Sequence, residues 1–162
     1  MLIAAISDTH LPRGSRRLPD ACVERLAAAE LILHAGDIAT AGVLAELERI
    51  GPPVRAVHGN VDSQELRRRL PEALVVEADG ARIAVVHDAG PARGRVERMR
   101  ARFPDACAVV FGHSHTPLHE HVDGFQIFNP GSPTDRRRQP RHTMGMARAE
   151  GGRVEFELVA LD

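Results

Sequence analysis

Five short apolar runs recur along this sequence, and each leads directly into a segment that contains Asp, Asn or His. The first, Leu2 to Ser7, is followed by Asp8-Thr9-His10, and the last, Ala108 to Phe111, is followed by Gly112-His113-Ser114-His115. Short continuous apolar runs are typical of buried strands in a parallel sheet. In open α/β sheets, functional sites form beyond the carboxyl ends of the strands. We therefore expect the polar residues that follow these runs to meet in one site.

The three intermediate runs end in the same way. They are followed by Gly36-Asp37, by Gly59-Asn60 and by His87. Imidazole nitrogens and side-chain oxygens are metal ligands, and a mixed nitrogen and oxygen set without thiolate suits Mn, Fe, Zn, Co or Ni. The predicted metal-binding residues are Asp8, His10, Asp37, Asn60, His87, His113 and His115.

The order of the predicted elements indicates two sheets. The first half of the chain alternates strands and helices, which predicts a parallel sheet with right-handed crossovers. In the second half, Asp79-Gly80, Asp123-Gly124 and Gly151-Gly152 separate pairs of apolar segments and predict three hairpins. Two sheets packed face to face with helices outside would bury both. The predicted strands are 2–7, 31–34, 54–57, 73–78, 81–86, 108–111, 117–122, 125–128, 143–149 and 153–160. The predicted helices are 19–29, 40–50 with Thr40 as its cap, 63–70 and 92–103.

Length and composition predict one globular domain over residues 1–162. Hydrophobic residues make up 43%, charged residues 27%, and the net charge is −1, so no strong field favours nucleic acid or a membrane. The chain has five Phe but no Trp or Tyr, which disfavours a base-stacking platform. No apolar run approaches the roughly 18–20 residues of a membrane span, and the N-terminus lacks the basic region of a signal peptide. We expect a cytoplasmic protein whose two cysteines are unpaired thiols.

Taken in order, the motifs resemble those of the calcineurin-like metallophosphoesterase superfamily. More closely, they resemble the small phosphodiesterases of bacteria and archaea within it. Each motif alone is weak, because Gly-Asp and Gly-Asn are ordinary turn dipeptides. Their occurrence in the family's order, each after an apolar run, makes the resemblance specific. The motifs are Asp8/His10, Gly36-Asp37, Gly59-Asn60, His87, Gly112-His113-Ser114-His115 and Asn129-Pro130-Gly131-Ser132.

The resemblance implies an α/β fold, a four-layer α/β/β/α sandwich of two mixed sheets flanked by helices, and a centre for two divalent metal ions. Manganese is the expected metal, with Fe, Zn, Co and Ni as alternatives. Asp37, Asn60 and His87 would act catalytically through the metals. In the family pattern Asp37 bridges the two ions, Asp8, His10 and His115 complete the first site, and Asn60, His87 and His113 complete the second.

The resemblance also implies hydrolysis of a small phosphate ester, by in-line attack of a metal-bridging hydroxide in a phosphodiesterase. Phosphomonoesterase activity is the alternative within the enzyme class. A non-catalytic scaffold of the same fold, as in the metallophosphoesterase-like subunit of the retromer complex, is the alternative from another class. That scaffold lacks several metal histidines, whereas His10, His87, His113 and His115 are all present here. A homo-oligomer is compatible with the sequence, and no membrane or specific nucleic-acid partner is expected.

Three positions depart from the family pattern. Leu11 replaces a Gly, and Asp88 follows His87 where a Gly is usual. Val61 stands after Asn60, where larger relatives place a His that can protonate the leaving group. Without that donor, we expect esters with good leaving groups to react best.

Other charged or ionisable residues carry weaker signals. His34 and His58 are expected to pack within strands or to orient a ligand, and His119 and His121 to lie at the surface. The Arg136-Arg137-Arg138 run is typical of a solvated surface, and substrate phosphate recognition is the alternative.

Overall fold

The computed structural model describes residues 1–162 and contains ten strands and four helices. The first half contains β1 (Leu2–Ile6), α1 (Asp20–Ala28), β2 (Leu31–His34), α2 (Ala41–Glu48), β3 (Val54–Ala56) and α3 (Gln64–Arg69). The second half contains β4 (Ala73–Ala78), β5 (Ala81–Val86), α4 (Arg95–Arg102), β6 (Ala108–Val110), β7 (Leu118–Val122), β8 (Phe125–Asn129), β9 (Thr143–Glu150) and β10 (Arg153–Ala160). None of the four helices has the length and apolar character needed to span a bilayer.

The strands form two five-stranded mixed sheets. The first has the order β10-β9-β1-β2-β3, in which β1, β2 and β3 are parallel and β9 and β10 are antiparallel to their neighbours. The second has the order β4-β5-β6-β8-β7, in which β5, β6 and β8 are parallel and the edge strands are antiparallel. All three predicted hairpins are present, at β4–β5, β7–β8 and β9–β10.

The alternation of side chains along each strand explains how the layers stack. On β1, Ile3 and Ala5 lie in the apolar layer between the sheets, whereas Ala4 and Ile6 pack on the side of α1 and α2. On β5, one face likewise enters the layer between the sheets and the other packs with residues of α4. The layers are therefore helices, sheet, sheet and helix, which confirms the predicted four-layer α/β/β/α sandwich.

The helices are one to three residues shorter at their ends than predicted. The side chains of Thr40 and Ser63 accept the N–H groups of Val43 and Leu66 at 3.4 and 3.3 Å, which confirms Thr40 as the cap of α2 and shows that Ser63 caps α3 instead of lying within it. Helix α4 begins at Arg95 instead of 92, because Gly94 has a φ of +71°. A left-handed residue cannot continue a right-handed helix.

The carboxyl ends of the parallel strands of both sheets meet at one edge of the sandwich. The loop after β6 contacts the loop after β1, where the His113 N–H donates to Asp8 Oδ2 at 3.0 Å. The loop after β5 contacts the loop after β2, where His87 Nδ1 donates to the Ala35 carbonyl at 2.8 Å. This edge therefore brings together the segments that carry the predicted metal-binding residues.

Candidate metal centre

The first group of candidate ligands follows β1 and β6. His10 Nε2 lies 3.2 Å from His115 Nε2, and Asp8 Oδ1 lies 3.6 Å from His115 Nε2 and 3.9 Å from His10 Nε2. Asp8 and His115 are buried at the floor, and His10 is half-buried. Two imidazole nitrogens and a carboxylate oxygen thus converge on one point.

The second group follows β3, β5 and β6. Asn60 Oδ1 lies 3.0 Å from His87 Nε2 and 3.1 Å from His113 Nδ1, and the two histidine nitrogens are 3.3 Å apart. His87 is buried, whereas Asn60 and His113 are exposed. This group therefore opens to solvent more than the first.

Asp37 lies between the two groups. Its Oδ2 is 3.5 Å from His10 Nε2 in the first group and 3.3 Å from His87 Nε2 in the second. Its Oδ1 accepts the backbone N–H of Val61 at 3.0 Å, which orients the carboxylate. One oxygen is thus held by the backbone, and the other faces both groups.

The donor set fits divalent metal ions. Donor atoms that bind one ion at about 2.0–2.2 Å lie about 3.0–3.5 Å from one another. Separations of 3.0 to 3.6 Å occur within both groups and from each group to Asp37. The donor atoms of Asp8, His10 and His115, and those of Asp8, Asp37 and His87, lie within 4.8 Å of one another. The structure therefore brings all seven predicted residues together.

Backbone carbonyl groups orient two of the histidines. His87 Nδ1 is 2.8 Å from the Ala35 carbonyl, and His115 Nδ1 is 2.5 Å from the Asp135 carbonyl. A carbonyl can only accept, so each Nδ1 carries a proton, and in the neutral imidazole the lone pair is then on Nε2. Both Nε2 atoms point into the centre, as a metal ligand requires.

The two carboxylates of the centre differ in acidity. Burial raises the pKa of Asp8 to about 7, against the lowering effect of His87 and of the Ser7 hydroxyl. Burial also opposes ionisation of Asp37, but hydrogen bonds from His87 and the Val61 N–H lower its pKa to about 2. A cation at the centre would favour the ionised form of both groups.

The histidine pKa values follow burial and nearby carboxylates. Burial lowers the pKa of His10 and of His115 below the ordinary value, although nearby acidic groups oppose it. At His87 burial acts in the same direction, but Asp37 and Asp8 raise its pKa overall. His10 and His115 are therefore neutral near pH 7, in the form that binds metal.

Five of the seven candidate ligands have left-handed backbone conformations. The φ angles are +55° at Asp8, +46° at His10, +58° at Asp37, +70° at His113 and +58° at His115. Such angles are uncommon for residues other than Gly, although Asp and His adopt them more often than most, and they cluster where a site imposes them. The residue types are therefore compatible with these angles but did not locate them.

Two glycines next to candidate ligands are required by close approach. A Cβ at Gly59 would lie 2.1 Å from Asp37 Oδ1, and a Cβ at Gly112 would lie 1.9 Å from Ser7 Oγ and 2.7 Å from Asp8 Oδ2. The Gly-Asn and Gly-His dipeptides therefore reflect packing against the carboxylates as well as turn formation.

Sequence reasoning missed the structural role of Asp62. Its carboxylate accepts the backbone N–H groups of Asp37 at 3.1 Å, Ala39 at 2.6 Å and Gly59 at 2.6 Å. It thereby ties the loop after β2 to the loop after β3.

The Asn129-Pro130-Gly131-Ser132 motif also acts as a support. Asn129 donates to the Gly112 carbonyl at 3.1 Å, and the Ser132 hydroxyl donates to the Asp8 carbonyl at 2.8 Å. Thr134 Oγ1 donates to the Thr9 carbonyl at 2.6 Å. The motif thus braces the loops that carry the first group of ligands.

The remaining histidines do not join the centre. His34 is fully buried, its Nδ1 accepts the Gly36 N–H at 3.1 Å, and burial lowers its pKa to about 4. His119 and His121 are exposed on β7, as predicted. His34 therefore shapes the loop before Asp37 and is neutral.

The chain belongs to the calcineurin-like phosphoesterase superfamily, because the sequence model of that domain family matches residues 1–152. A probable metallophosphoesterase of Methanothermobacter thermautotrophicus is 32% identical over 161 residues, which cover 98% of this chain and 92% of that protein. A phosphodiesterase of Methanocaldococcus jannaschii is 26% identical over 144 residues, which cover 81% of this chain and 83% of that protein.

A solved structure shares the fold over the whole chain. Vps29 of Entamoeba histolytica, complexed with Zn²⁺, superposes with a TM-score of 0.79 at 22% identity, over 100% of both chains. At this identity the likeness concerns the fold alone.

Proposed function

We propose that this protein is a phosphodiesterase that uses two divalent metal ions. The observation that carries the proposal is the position of Asp37 Oδ2, 3.5 Å from His10 Nε2 and 3.3 Å from His87 Nε2. One carboxylate oxygen within reach of two donor groups is the arrangement that a bridging ligand needs. The phosphodiesterase of Methanocaldococcus jannaschii supports the choice of a diester substrate. The Zn²⁺ complex of Vps29 supports the choice of a divalent ion.

In this proposal each residue has a defined task. Two bound ions would supply neutralisation of phosphate charge and a lowered pKa for water. Asp8, His10 and His115 would hold one ion, Asn60, His87 and His113 the other, and Asp37 both. The exposed Asn60 and His113 lie where a substrate arrives from solvent. Manganese is our first choice of metal, and Fe, Zn, Co and Ni suit the same donors.

Val61, Asp62 and His34 are not placed to protonate the leaving group in this proposal. Val61 is apolar and 46% exposed, and only its backbone contacts Asp37. The Asp62 carboxylate is occupied by three N–H groups, and His34 is fully buried. A leaving group would therefore depart as an anion or take its proton from water.

The first test is metal dependence. Protein stripped with a chelator should not hydrolyse bis(p-nitrophenyl) phosphate, and Mn²⁺ should restore activity with two ions bound per chain. Asp37→Asn should reduce both metal content and kcat/KM, the latter by at least about 100-fold, because a neutral amide cannot hold two cations close together. Asp105→Asn is the control, because Asp105 is exposed and lies between α4 and β6, before the strand that leads to His113. Undiminished hydrolysis by stripped protein would refute the proposal, and a higher kcat/KM on p-nitrophenyl phosphate would favour the monoesterase alternative.

The second test concerns the leaving group. Rates on a series of diesters should fall steeply as the leaving-group pKa rises, because no donor assists departure. Val61→His keeps the backbone N–H that binds Asp37 and places an imidazole beside Asn60. It should help poor leaving groups more than nitrophenol. A flat series in the wild-type enzyme would show that another group already acts as the acid.

A further inference from the structure

Two arginine-rich loops lie on one side of the metal centre. The loop from 11 to 18, between β1 and α1, has three arginines, and the loop from 130 to 142, between β8 and β9, has four. The only acidic residue in either loop is Asp135. Arg16 Nη1 lies 3.3 Å from Asp135 Oδ2, so the two loops are joined.

The second of these loops is tied to the first group of ligands. The Asp135 carbonyl accepts the His115 Nδ1–H at 2.5 Å, and the Ser132 hydroxyl donates to the Asp8 carbonyl at 2.8 Å. The arginines that follow Asp135 therefore begin at the edge of the centre, beside the first group and away from Asn60.

Arg137 is the first arginine after Asp135 that has no partner within the protein. Arg136 donates to the Gln139 carbonyl at 2.5 Å, and Arg141 donates to the Asp162 carbonyl at 3.3 Å. Arg137 is exposed and makes no hydrogen bond or ion pair within the protein. Its φ of +49° is left-handed, which is uncommon for a residue with a long side chain.

Chain connectivity places Arg137 beside the first group of ligands. Arg137 follows Asp135 by two residues, which span at most about 7 Å, and the Asp135 carbonyl lies 2.5 Å from His115 Nδ1. Arg138 is also exposed but lies one residue farther from Asp135.

The opposite side of the centre has the opposite charge. Asp88 is exposed, and its Oδ2 lies 4.0 Å from His113 Nε2. An anionic group on a substrate would thus be repelled on the side of the second group and attracted on the side of the first.

We propose that Arg137 forms an anion subsite beside the first group of ligands, and that the substrate is a phosphodiester that carries a second phosphate there. This inference rests on the proposed function, whose scissile phosphate would lie over the metal centre. A guanidinium binds phosphate through paired N–H groups, and an unpaired exposed arginine is free to do so. Arg16 is neutralised by Asp135, so it positions the loop, and Arg137 provides the contact.

The kinetic test compares two diesters with one leaving group. They are the p-nitrophenyl ester of thymidine 5′-phosphate and the same ester with an added 3′-phosphate. Wild-type kcat/KM should be about tenfold higher for the second compound, in line with one charge-assisted bidentate contact. Arg137→Gln should abolish this preference, and the matched Arg138→Gln should keep it. The preference should also shrink at high salt, because the contact is exposed.

A binding test separates this inference from the proposed function. Calorimetry on the metal-loaded protein would compare thymidine 3′,5′-bisphosphate with thymidine 5′-monophosphate, and no turnover is needed. The bisphosphate should bind about tenfold more tightly to wild type and to Arg138→Gln, but not to Arg137→Gln. If neither ester is hydrolysed while this pattern holds, the proposed function fails and the subsite stands. Equal binding of both nucleotides by wild type, or a preference that survives Arg137→Gln, overturns the subsite.

Discussion

At the scale of single residues, the centre combines a buried carboxylate with strained backbone. Asp8 is fully buried, and this burial raises its pKa to about 7. Five candidate ligands hold left-handed φ angles that side chains rarely adopt. Both features cost stability in the metal-free protein, and each leads to a measurable expectation.

The first expectation concerns pH. The folded-state pKa of Asp8, about 7, lies above its ordinary value of 3.8, so the folded metal-free protein binds this proton more tightly than the unfolded chain. The contribution is fully present below about pH 4 and is lost as the pH rises to about 7. Asp8→Asn removes it, so the unfolding free energy of the variant should gain about 2–4 kcal/mol on wild type across that range. Urea unfolding in chelator at pH 4, 5.5 and 7.5 measures this, and a constant difference would contradict it.

The second expectation concerns the left-handed residues. His113 is exposed and has a φ of +70°, so His113→Gly should be more stable than His113→Ala by about 1 kcal/mol. The neighbouring Ser114 has no positive φ, and there the alanine variant should be the more stable one. Thermal unfolding of the four metal-free variants gives both differences. The same order at both positions would show that the conformation at His113 carries no strain.

At the scale of elements, the strands were predictable and the loops between them were not. Apolar runs identified all ten strands to within one or two residues, and Asp-Gly or Gly-Gly marked the hairpins. Runs such as Leu31 to His34 are specific because both faces are buried. The clustering of the seven ligands followed from strand polarity alone. The left-handed loops and the three hydrogen bonds of Asp62 could not be predicted, because polar residues after Gly are compatible with many turns.

Asp62 should be the support on which the loops after β2 and β3 depend. Asp62→Ala leaves the N–H groups of Asp37, Ala39 and Gly59 without their acceptor. Unsatisfied buried donors are costly, so we expect a loss of roughly 3 kcal/mol in unfolding free energy and weaker Mn²⁺ binding. Asp105→Ala, at an exposed aspartate, should change stability by less than about 0.5 kcal/mol. Unchanged metal affinity in Asp62→Ala would show that the loops hold their shape without it.

At the scale of the whole molecule, the seven candidate ligands are divided between the two sheets. Asp8, His10, Asp37 and Asn60 follow strands of the first sheet, and His87, His113 and His115 follow strands of the second. Between the sheets lies an apolar layer, and the hydrophobic contacts that hold the sheets together there are non-directional. An ion bound by ligands from both sheets would join the two sheets at one end of that layer.

Such an ion should make local opening of the two sheets less frequent at that end. Amide hydrogen exchange near the carboxyl ends of β2 and β6 should slow when Mn²⁺ is added, because opening the layers there would first require loss of the ion. The far hairpin of β9 and β10, which contributes no ligand, should exchange at nearly the same rate with and without metal. An equal slowing everywhere would mean that the ion only raises global stability. A local slowing would show that this edge opens more readily in the metal-free protein than in the metal-bound protein. The availability of metal would then also determine how long the protein resists proteolysis.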